Sequence, residues 1–325
     1  MARFNYAKII YFNPFVKLTP IRTFPKRLFE QYGKIIKRIF VSVELALGIG
    51  GAKMIGITPQ NNSILKLNKD YALGYKGTLI ELPRDKTIYK YVKNHGSWEL
   101  ETCKFLAKGL RAACQQLNSK VALLDIGANS GLVSLQTMNL SNTTNEVFLF
   151  EPIPRHIWAI KNNLKNLSNL HINEFALSDK NKKAEIFSDP NNFGNSSYLG
   201  SAFENIDYVS TSSVLVETTE YCKKFLNNFD SYVIKCDTQG MDALILSRFP
   251  EQIWQQCQSA VIEVWALADV NKTDVQSLLS MCQGFDNVSW DPYSGTVKKL
   301  EFNEVVEFWI NKSGATRSLF LSKGN

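Results

Sequence analysis

Residues 121–152 of the chain read VALLDIGANSGLVSLQTMNLSNTTNEVFLFEP. The first four residues form a short apolar run, which is typical of a strand that is buried on both faces of a sheet. Gly127 and Gly131 follow, and glycines there let the backbone turn sharply and approach a ligand closely. The residues after Gly131 have the length and apolar content of a helix, and a second apolar run, residues 147–150, ends at Glu151. This order of strand, glycine loop, helix, strand and acid predicts half of a nucleotide-binding α/β unit.

The details of this unit indicate which nucleotide it binds. Its glycine spacing differs from the G-x-G-x-x-G fingerprint of dinucleotide-binding folds. Asp125 stands just before the loop, where a carboxylate would repel a pyrophosphate but tolerate a cationic ligand. Glu151 ends the second strand, where a carboxylate can accept hydrogen bonds from two ribose hydroxyls. These features favour S-adenosylmethionine (SAM) over NAD. The alternative is that Asp125 only caps the following turn.

Five segments in this order resemble those of the FkbM-like methyltransferases, a family of SAM-dependent O-methyltransferases of the class I fold. The segments are DIGANSGLVS (125–134), LFEPIPRHIWAIKNNLKNL (149–167), HINEFALSD (171–179), VIKCDTQGMDALIL (233–246) and VIEVW (261–265). The resemblance covers roughly residues 95–265.

The resemblance implies a class I methyltransferase-type, Rossmann-like α/β fold, with a mostly parallel seven-stranded sheet flanked by helices. We expect two parts in the chain. Residues 1–95 form a basic N-terminal extension with an amphipathic helix and a small β element. Residues 96–325 form the SAM-dependent methyltransferase domain.

The resemblance also implies where the cofactor lies. The residues expected to bind SAM are Asp125, Gly127, Ala128, Asn129, Gly131 and Glu151, with Ala176 and Leu177 as a wall beside the adenine. Ala176 and Leu177 are apolar residues near the end of a strand-like segment, so they fit equally well as ordinary core residues.

The best catalytic candidates lie in the segment Tyr232–Asp237. Its apolar residues predict a strand, and the period of two places Lys235 and Asp237 on the same side. Two charges near the end of a central strand are costly unless they are paired and solvated at a cleft. We therefore predict that both take part in catalysis, together with Glu263 late in the next strand. The alternative is a structural ion pair.

One departure from the family pattern changes a charge. The family has the sequence D-x-E-G-x-E after this strand, whereas the chain has Gln239 at the position of the first glutamate. A metal-assisted reaction that uses Asp237, Asp242 and Glu263 is disfavoured, because Gln239 removes one anionic ligand; no metal is predicted. Glu99 is a further candidate, since the family places an acid near the pocket here, although it also suits the first turn of a helix.

The predicted reaction is methyl transfer from SAM to a hydroxyl of a glycan, a sugar or a natural product. One alternative is nucleic-acid N-methylation, but the chain has Asp-Thr-Gln-Gly where such enzymes carry an Asn/Asp-Pro-Pro-aromatic box, so no nucleic-acid partner is expected. Another alternative is a catalytically weakened SAM-binding module that docks on a membrane.

Three expectations concern polar residues outside these motifs. His95 lies just before the predicted catalytic domain and is a candidate base. His156 begins a predicted helix and is expected at the surface. Residues 189–200 read DPNNFGNSSYLG, which predicts a polar loop that is either a mobile lid or a surface connection. The resemblance implies a loop beside the site here and so favours the lid.

Charge is concentrated at the N-terminus. The net charge is +7, and residues 1–40 hold nine Lys/Arg and one acid, which gives +8 there and −1 elsewhere. Residues 26–43 combine an apolar helical face with a basic one, which predicts either an anionic membrane contact or an accessory helix on the catalytic domain. The six cysteines lack C-x-x-C spacing and no long apolar run is present, so we expect a cytoplasmic protein, peripheral to a membrane at most.

Overall fold

The structure is a computed structural model of the chain, and it describes residues 52–58, 62–67, 79–115, 119–199, 207–291 and 300–324. The predicted basic helix over residues 26–43 lies outside these ranges.

The secondary structure of the described residues divides into strands and helices with the following bounds. The strands are β1 (Ala52–Ile57), β2 (Asn62–Leu67), β3 (Leu79–Pro83), β4 (Val121–Ile126), β5 (Glu146–Phe150), β6 (Leu170–Asn173), β7 (Ala176–Ser178), β8 (Lys182–Asp189), β9 (Asn192–Ser197), β10 (Val209–Glu217), β11 (Ser231–Cys236), β12 (Cys257–Trp265), β13 (Asn287–Ser289) and β14 (Thr316–Ser322). The helices are α1 (Ile88–His95), α2 (Leu100–Ala113), α3 (Leu132–Ser141), α4 (Pro154–Asn163), α5 (Thr218–Phe225), α6 (Asp242–Leu246), α7 (Glu251–Gln256), α8 (Lys272–Met281) and α9 (Phe302–Ile310), with a short 3-10 helix, Cys282–Gly284.

The largest sheet contains seven strands in the order β13–β14–β12–β11–β4–β5–β6. Neighbouring strands run parallel from β12 to β6, whereas β14 is antiparallel to both β12 and β13. With helices on both faces, this arrangement confirms the predicted class I methyltransferase-type fold. The carboxyl ends of β12, β11, β4 and β5 therefore meet at one edge, which is where open α/β sheets bind ligands.

Burial explains why the central strands are apolar along most of their length. All six residues of β4 are buried. Ala122 and Leu124 pack into one core cluster with Ile234 of β11, and Leu123 packs into a second cluster with Leu106 of α2. Because successive side chains point to opposite faces, a strand covered on both faces has no polar side.

Two smaller antiparallel or mixed sheets accompany the main one. The first is β1–β2–β3, and the second has the order β7–β10–β8–β9. Asn163, the last residue of α4, joins the first sheet to the glycine loop. Its side chain accepts a hydrogen bond from the Glu81 backbone N–H at 2.7 Å and donates to the carbonyls of Glu81 and Ser130 at 2.9 and 2.8 Å.

The prediction of a loop over residues 189–200 is wrong for most of the segment. Residues 192–197 form β9, which pairs antiparallel with β8 in a tight hairpin. Neighbouring elements satisfy the backbone of the hairpin, since Phe193 donates its N–H to Asp85 Oδ2 at 3.1 Å and accepts from Asn129 Nδ2 at 3.0 Å. These tertiary hydrogen bonds outweigh the weak strand propensity of Asn, Gly and Ser. Residues of this hairpin line the cavity described below.

The structure also describes the state of the cysteines and the length of the apolar helices. The six cysteines are free thiols, five of them buried. No helix of the described residues is both long and apolar enough to span a bilayer.

Candidate functional site

A cavity of about 340 Å³ lies at the carboxyl edge of the large sheet. Gly127, Glu151, Asp237 and Glu263 contribute to its lining, and they lie at the ends of β4, β5, β11 and β12. The volume falls within the range of about 300–1,000 Å³ that is typical of small-molecule sites. The β8–β9 hairpin supplies another part of the wall through Asn192, Gly194, Ser196 and Ser197.

Both glycines of the loop have left-handed backbone conformations, with φ of 75° at Gly127 and 73° at Gly131. A Cβ atom on Gly127 would lie 1.9 Å from the carbonyl oxygen of Asp237, so only glycine allows the loop to meet the end of β11. A Cβ on Gly131 would lie 2.6 Å from Leu164 Cδ1. Gly131 is therefore required by the close packing of the loop against the end of α4. Gly127, Ala128 and Asn129 line the cavity as predicted for cofactor-binding residues, whereas Gly131 does not.

Glu151 is buried at the cavity wall and is held by backbone donors. Its Oε2 accepts from Asn129 N at 2.8 Å, and its Oε1 accepts from Ile153 N at 2.9 Å. Each carboxylate oxygen can accept more than one hydrogen bond, so both retain acceptor capacity toward the cavity. The position suits the predicted contact with ribose hydroxyls.

Asp125 lies beneath the loop and is absent from the cavity lining. It is buried, it accepts a hydrogen bond from Ser134 Oγ at 2.7 Å, and its Oδ1 lies 3.4 Å from Lys235 Nζ. Its side chain therefore supports the loop from within the protein, rather than contacting a ligand directly as the sequence suggested.

Lys235 connects the loop to the end of β11. Its ammonium donates to the Gly127 carbonyl at 2.7 Å and lies 3.8 Å from Asp237 Oδ2. Burial by itself lowers the pKa of Lys235, but the carboxylates of Asp125, Asp237 and Glu99 together raise that pKa above its ordinary value. Lys235 is therefore a fixed cation, and a role as a proton donor or acceptor does not suit it.

Asp237 and Glu263 are brought together by Gln239. The Gln239 amide donates to Asp237 Oδ1 at 2.7 Å and to Glu263 Oε2 at 2.8 Å. Glu263 also accepts from Thr316 Oγ1 at 3.2 Å. Burial, followed by the charges of Asp237 and Asp242, raises the pKa of Glu263 well above its ordinary value. All three residues of this bridge line the cavity.

Glu99 also lines the cavity, at the N-terminal end of α2. Its backbone adopts a left-handed conformation, with φ of 44°, which is unusual for a residue with a Cβ and is enriched at functional sites. Burial, followed by the charge of Asp237, raises the pKa of Glu99 to about 7. A carboxyl group in this state can accept a proton near neutral pH.

Ala176 and Leu177 line the cavity as predicted, on the third strand-to-loop segment of the site. They supply apolar surface together with Ile153 and Ile186. Such a wall suits the planar base of a nucleoside.

Asp242 is not placed as a metal ligand. It is buried, and its carboxylate accepts from the backbone N–H groups of Thr238 and Gly240 at 3.1 and 3.3 Å. Its role is to hold the turn that follows β11. In the part of the chain that the structure describes, no three His, Cys, Asp or Glu side chains are grouped so as to hold a metal ion.

The two histidine expectations are wrong. His95 is exposed on the last turn of α1, bonds to the Tyr91 carbonyl at 2.9 Å and does not line the cavity. His156 is buried and lines the cavity, with Nδ1 3.3 Å from Glu151 Oε1. The α4 helix turns this residue inward, because its apolar face also carries Ile157 and Ile160 against the sheet.

Sequence reasoning missed other parts of the lining. Trp98 and Thr316 contribute from positions far apart in the chain. No motif marks these residues. The pairing of β14 with β12 brings Thr316 to the cavity.

Comparison with known proteins finds solved structures that are similar to this chain only at low sequence identity. No protein-family model matches the sequence. No curated protein matches it either. Among solved structures, precorrin-6y C5,15-methyltransferase from Geobacter metallireducens is 14% identical, covers 69% of this chain and 89% of its own, and gives a TM-score of 0.33.

Two further solved structures bear a similar relation to the chain. Methyltransferase FkbM from Methylobacillus flagellatus is 11% identical and covers 65% of this chain and 46% of its own, with a TM-score of 0.37. Aeropyrum pernix fibrillarin, solved with natively bound SAM, is 10% identical and covers 83% of this chain and 98% of its own, with a TM-score of 0.34. At these low identities and TM-scores, the ligand and the reaction have to be inferred from the site itself.

Proposed function

We propose that the protein is a methyltransferase that uses SAM and acts on a hydroxyl group. The observation that carries this proposal is the excess of acidic groups around the cavity. Glu99, Glu151, Asp237 and Glu263 line it, and Lys235 is the single Lys or Arg among the described lining residues. The Lys235 ammonium is already bound to the Gly127 carbonyl and paired with Asp125.

This balance of charge selects among nucleotide cofactors. A dinucleotide carries a pyrophosphate, which the acidic groups of a partly buried cavity disfavour. SAM carries an ammonium and a sulfonium, both of which such a cavity attracts. The chain also fits the rest of the molecule: Gly127 lets the loop approach closely, Glu151 keeps acceptor capacity for ribose hydroxyls, and Ala176 and Leu177 offer an apolar surface.

When bound, SAM supplies a methyl group on a sulfonium sulfur that an acceptor oxygen can attack. The chain has to align the acceptor and take up the hydroxyl proton. Asp237 suits the first role, because hydrogen bonding to Gln239 and the charge of Lys235 fix its carboxylate beside the cavity. Glu99 suits the second, since its position at the cavity wall and its raised pKa allow it to hold that proton.

The acceptor class that we propose is a sugar, a glycan or a hydroxylated natural product. Carboxylates are good acceptors for the hydroxyl groups of such molecules. Trp98 adds an aromatic surface to the same cavity, on which a sugar ring can pack. The five segments that resemble the FkbM-like methyltransferases support the same class, and we propose membership of that family on their account.

Calorimetric titration of the full chain with SAM, S-adenosylhomocysteine and NAD tests the cofactor. We expect binding of the first two ligands only. Glu151→Gln keeps the volume of the side chain and removes the carboxylate, so it should weaken binding of SAM by about 1–3 kcal/mol. Binding of NAD without binding of SAM would overturn the proposal.

The acceptor is tested separately with a panel of hydroxylated sugars and natural products. Incubation with SAM should give a product whose mass has increased by one methyl group. Acceptors in which the hydroxyls are replaced by hydrogen are the matched controls. Methylation of an amine or of RNA, with all hydroxyl acceptors unchanged, would contradict the proposed acceptor class while leaving SAM binding intact.

A further inference from the structure

Gln239 occupies the point at which two carboxylates of the cavity converge. Its Nε2 lies 2.7 Å from Asp237 Oδ1 and 2.8 Å from Glu263 Oε2. These separations are only slightly longer than the distances of about 2.3–2.6 Å between calcium and its oxygen ligands. Gln239 adopts a left-handed backbone conformation to reach this place, with φ of 55°.

The surroundings of this amide are strongly acidic. Burial and then the Asp237 charge raise the pKa of Asp242 to about 6, and Glu263 is affected in the same direction. Carboxylates this close repel one another unless a donor or a cation lies between them. The Gln239 amide is that donor, since it presents two N–H groups and carries no charge.

We infer that Gln239 is a positioning residue whose amide replaces a cation between Asp237 and Glu263 and so holds Asp237 in place without a metal ion. The part of this inference that concerns methyl transfer, in which Asp237 aligns the acceptor, rests on the proposed function. The replacement of a cation is independent of that function and can be tested by cation binding alone.

Both carboxylate oxygens of Asp237 have a neighbour that holds them. Oδ1 is fixed by Gln239, and Oδ2 faces Lys235 at 3.8 Å. The carboxylate is therefore restrained from both sides, and its remaining lone pairs are available to an acceptor hydroxyl. The departure of Gln239 from the family pattern is in this view a working part of the site.

Substitution of Gln239 by glutamate tests the replacement of a cation. Gln239→Glu would bring three carboxylates to one point and remove both donors. We expect the variant to melt at a lower temperature than wild type in chelator at alkaline pH, and at a similar temperature when the carboxyls are protonated. Calcium at about 1 mM should restore its stability, because a cation that binds only the folded state stabilises it.

Titration with calcium gives the direct measurement. We expect Gln239→Glu to bind one calcium ion at least tenfold more tightly than wild type. Gln255→Glu is the matched control, because Gln255 is exposed and donates to one carboxylate, Glu251, at 3.0 Å. It should gain no comparable affinity. Equal calcium affinity in wild type and Gln239→Glu, or unchanged melting of the variant in chelator, would overturn the inference.

Gln239→Met covers the case in which the glutamate variant does not fold. Methionine has a similar volume and no donor, so Asp237 loses its restraint while the shape is kept. We expect kcat for methyl transfer to fall about tenfold with the Kd for S-adenosylhomocysteine unchanged, and unchanged kcat would overturn the inference. If wild type transfers no methyl group at all, the proposed function has failed, and the calcium titration still decides the role of Gln239.

Discussion

The ammonium of Lys235 donates a hydrogen bond to the carbonyl oxygen of Gly127 at 2.7 Å. One buried charge therefore ties the loop after β4 to the strand that carries Asp237. The same ammonium lies 3.4 Å from Asp125 Oδ1, so the acid before the loop and the lysine of β11 form a pair inside the protein. The sequence left open whether Lys235 is catalytic or structural, and this geometry gives it a structural task.

Replacement of Lys235 by methionine should destabilise the protein by about 3–5 kcal/mol, because Asp125 would remain buried without a charged partner. Chemical denaturation at neutral pH measures the loss. The double variant Lys235→Met with Asp125→Asn removes both charges and should recover part of the stability. If the single and the double variant are equally unstable, the loss comes from packing, and the pair with Asp125 contributes little.

Gly127→Ala should lower the free energy of unfolding by more than the roughly 1–2 kcal/mol that a left-handed backbone costs a residue with a Cβ. The added Cβ would meet the Asp237 carbonyl at 1.9 Å, and backbone atoms cannot move aside cheaply. Gly314→Ala is the matched control, since Gly314 has φ of 70° and nothing within 4 Å. Equal losses in the two variants would show that the loop does not need its close approach to β11.

The site residues at the ends of the parallel strands can be predicted from the sequence. Gly127, Glu151 and Asp237 were predicted at the site because each follows an apolar run, and parallel strands end at a common edge. Their local patterns therefore carry three-dimensional information. The same is true of the seven-stranded sheet, whose buried strands are marked by continuous apolar runs.

Other features depend on contacts that no local pattern encodes. His156 has the polarity of a surface residue, but α4 turns it toward Glu151. Residues 192–197 have the composition of a loop, but the Phe193 N–H donates to Asp85 and the Phe193 carbonyl accepts from Asn129, and these bonds hold the segment as a strand. The placement of Asp125 beneath the loop depends on the direction of Lys235. Each of these needs the tertiary structure, because the partner lies far away in sequence.

Asp237→Asn should preserve the fold and the affinity for SAM and lower turnover by about 10²-fold, because a misplacement of the acceptor by about 1 Å can cost that much in rate. Asparagine has nearly the same shape, and its oxygen can still accept from Gln239. Initial rates with an acceptor found in the hydroxyl panel, together with calorimetry, measure the two effects. Asp269→Asn, at an exposed position, is the control. Unchanged turnover in Asp237→Asn would remove Asp237 from the reaction.

Glu99→Gln should abolish the dependence of turnover on pH near neutrality. If Glu99 accepts the hydroxyl proton, kcat of wild type rises as the pH increases through about 7, because the pKa of Glu99 is about 7 and its base form is needed. The variant should be about 10²–10⁴-fold slower, with a flat profile in this range. A variant that keeps the wild-type profile would assign the proton to another group.

Stability gives an independent check on Glu99. A carboxyl group whose pKa is raised on folding holds its proton in the folded state at pH values where the unfolded chain has lost it. Between the unfolded value of 4.5 and about 7, stability therefore decreases as the pH rises. Melting curves across this interval should fall more steeply for wild type than for Glu99→Gln. Glu101→Gln, at an exposed position of the same helix, should melt in parallel with wild type.

The basic N-terminal segment leads to a prediction about membranes. Its two alternatives are an accessory helix and a contact with anionic lipid, and in the second each basic residue near the surface contributes about 1 kcal/mol. The lipid contact is the alternative that we propose to test. Full-length protein should bind phosphatidylserine vesicles at low salt and release them at high salt. Replacement of Lys26, Arg27, Lys34, Lys37 and Arg38 by glutamine should abolish binding and leave the affinity for SAM unchanged. Vesicles of neutral lipid are the control, and a wild-type protein that ignores anionic vesicles would contradict the proposal.

The side chain of Asn163 behaves toward Glu81 as a neighbouring strand would, because it accepts from the backbone N–H of that residue and donates to its carbonyl. With its third contact, at Ser130, it fastens the edge of the three-stranded sheet to the loop below the cavity. A shortened chain that begins at Gly96 would leave the Asn163 amide without its two bonds to the Glu81 backbone. Strand β3 thus acts as a buttress for the glycine loop, and a truncation intended to isolate the residues from 96 onward would loosen that loop.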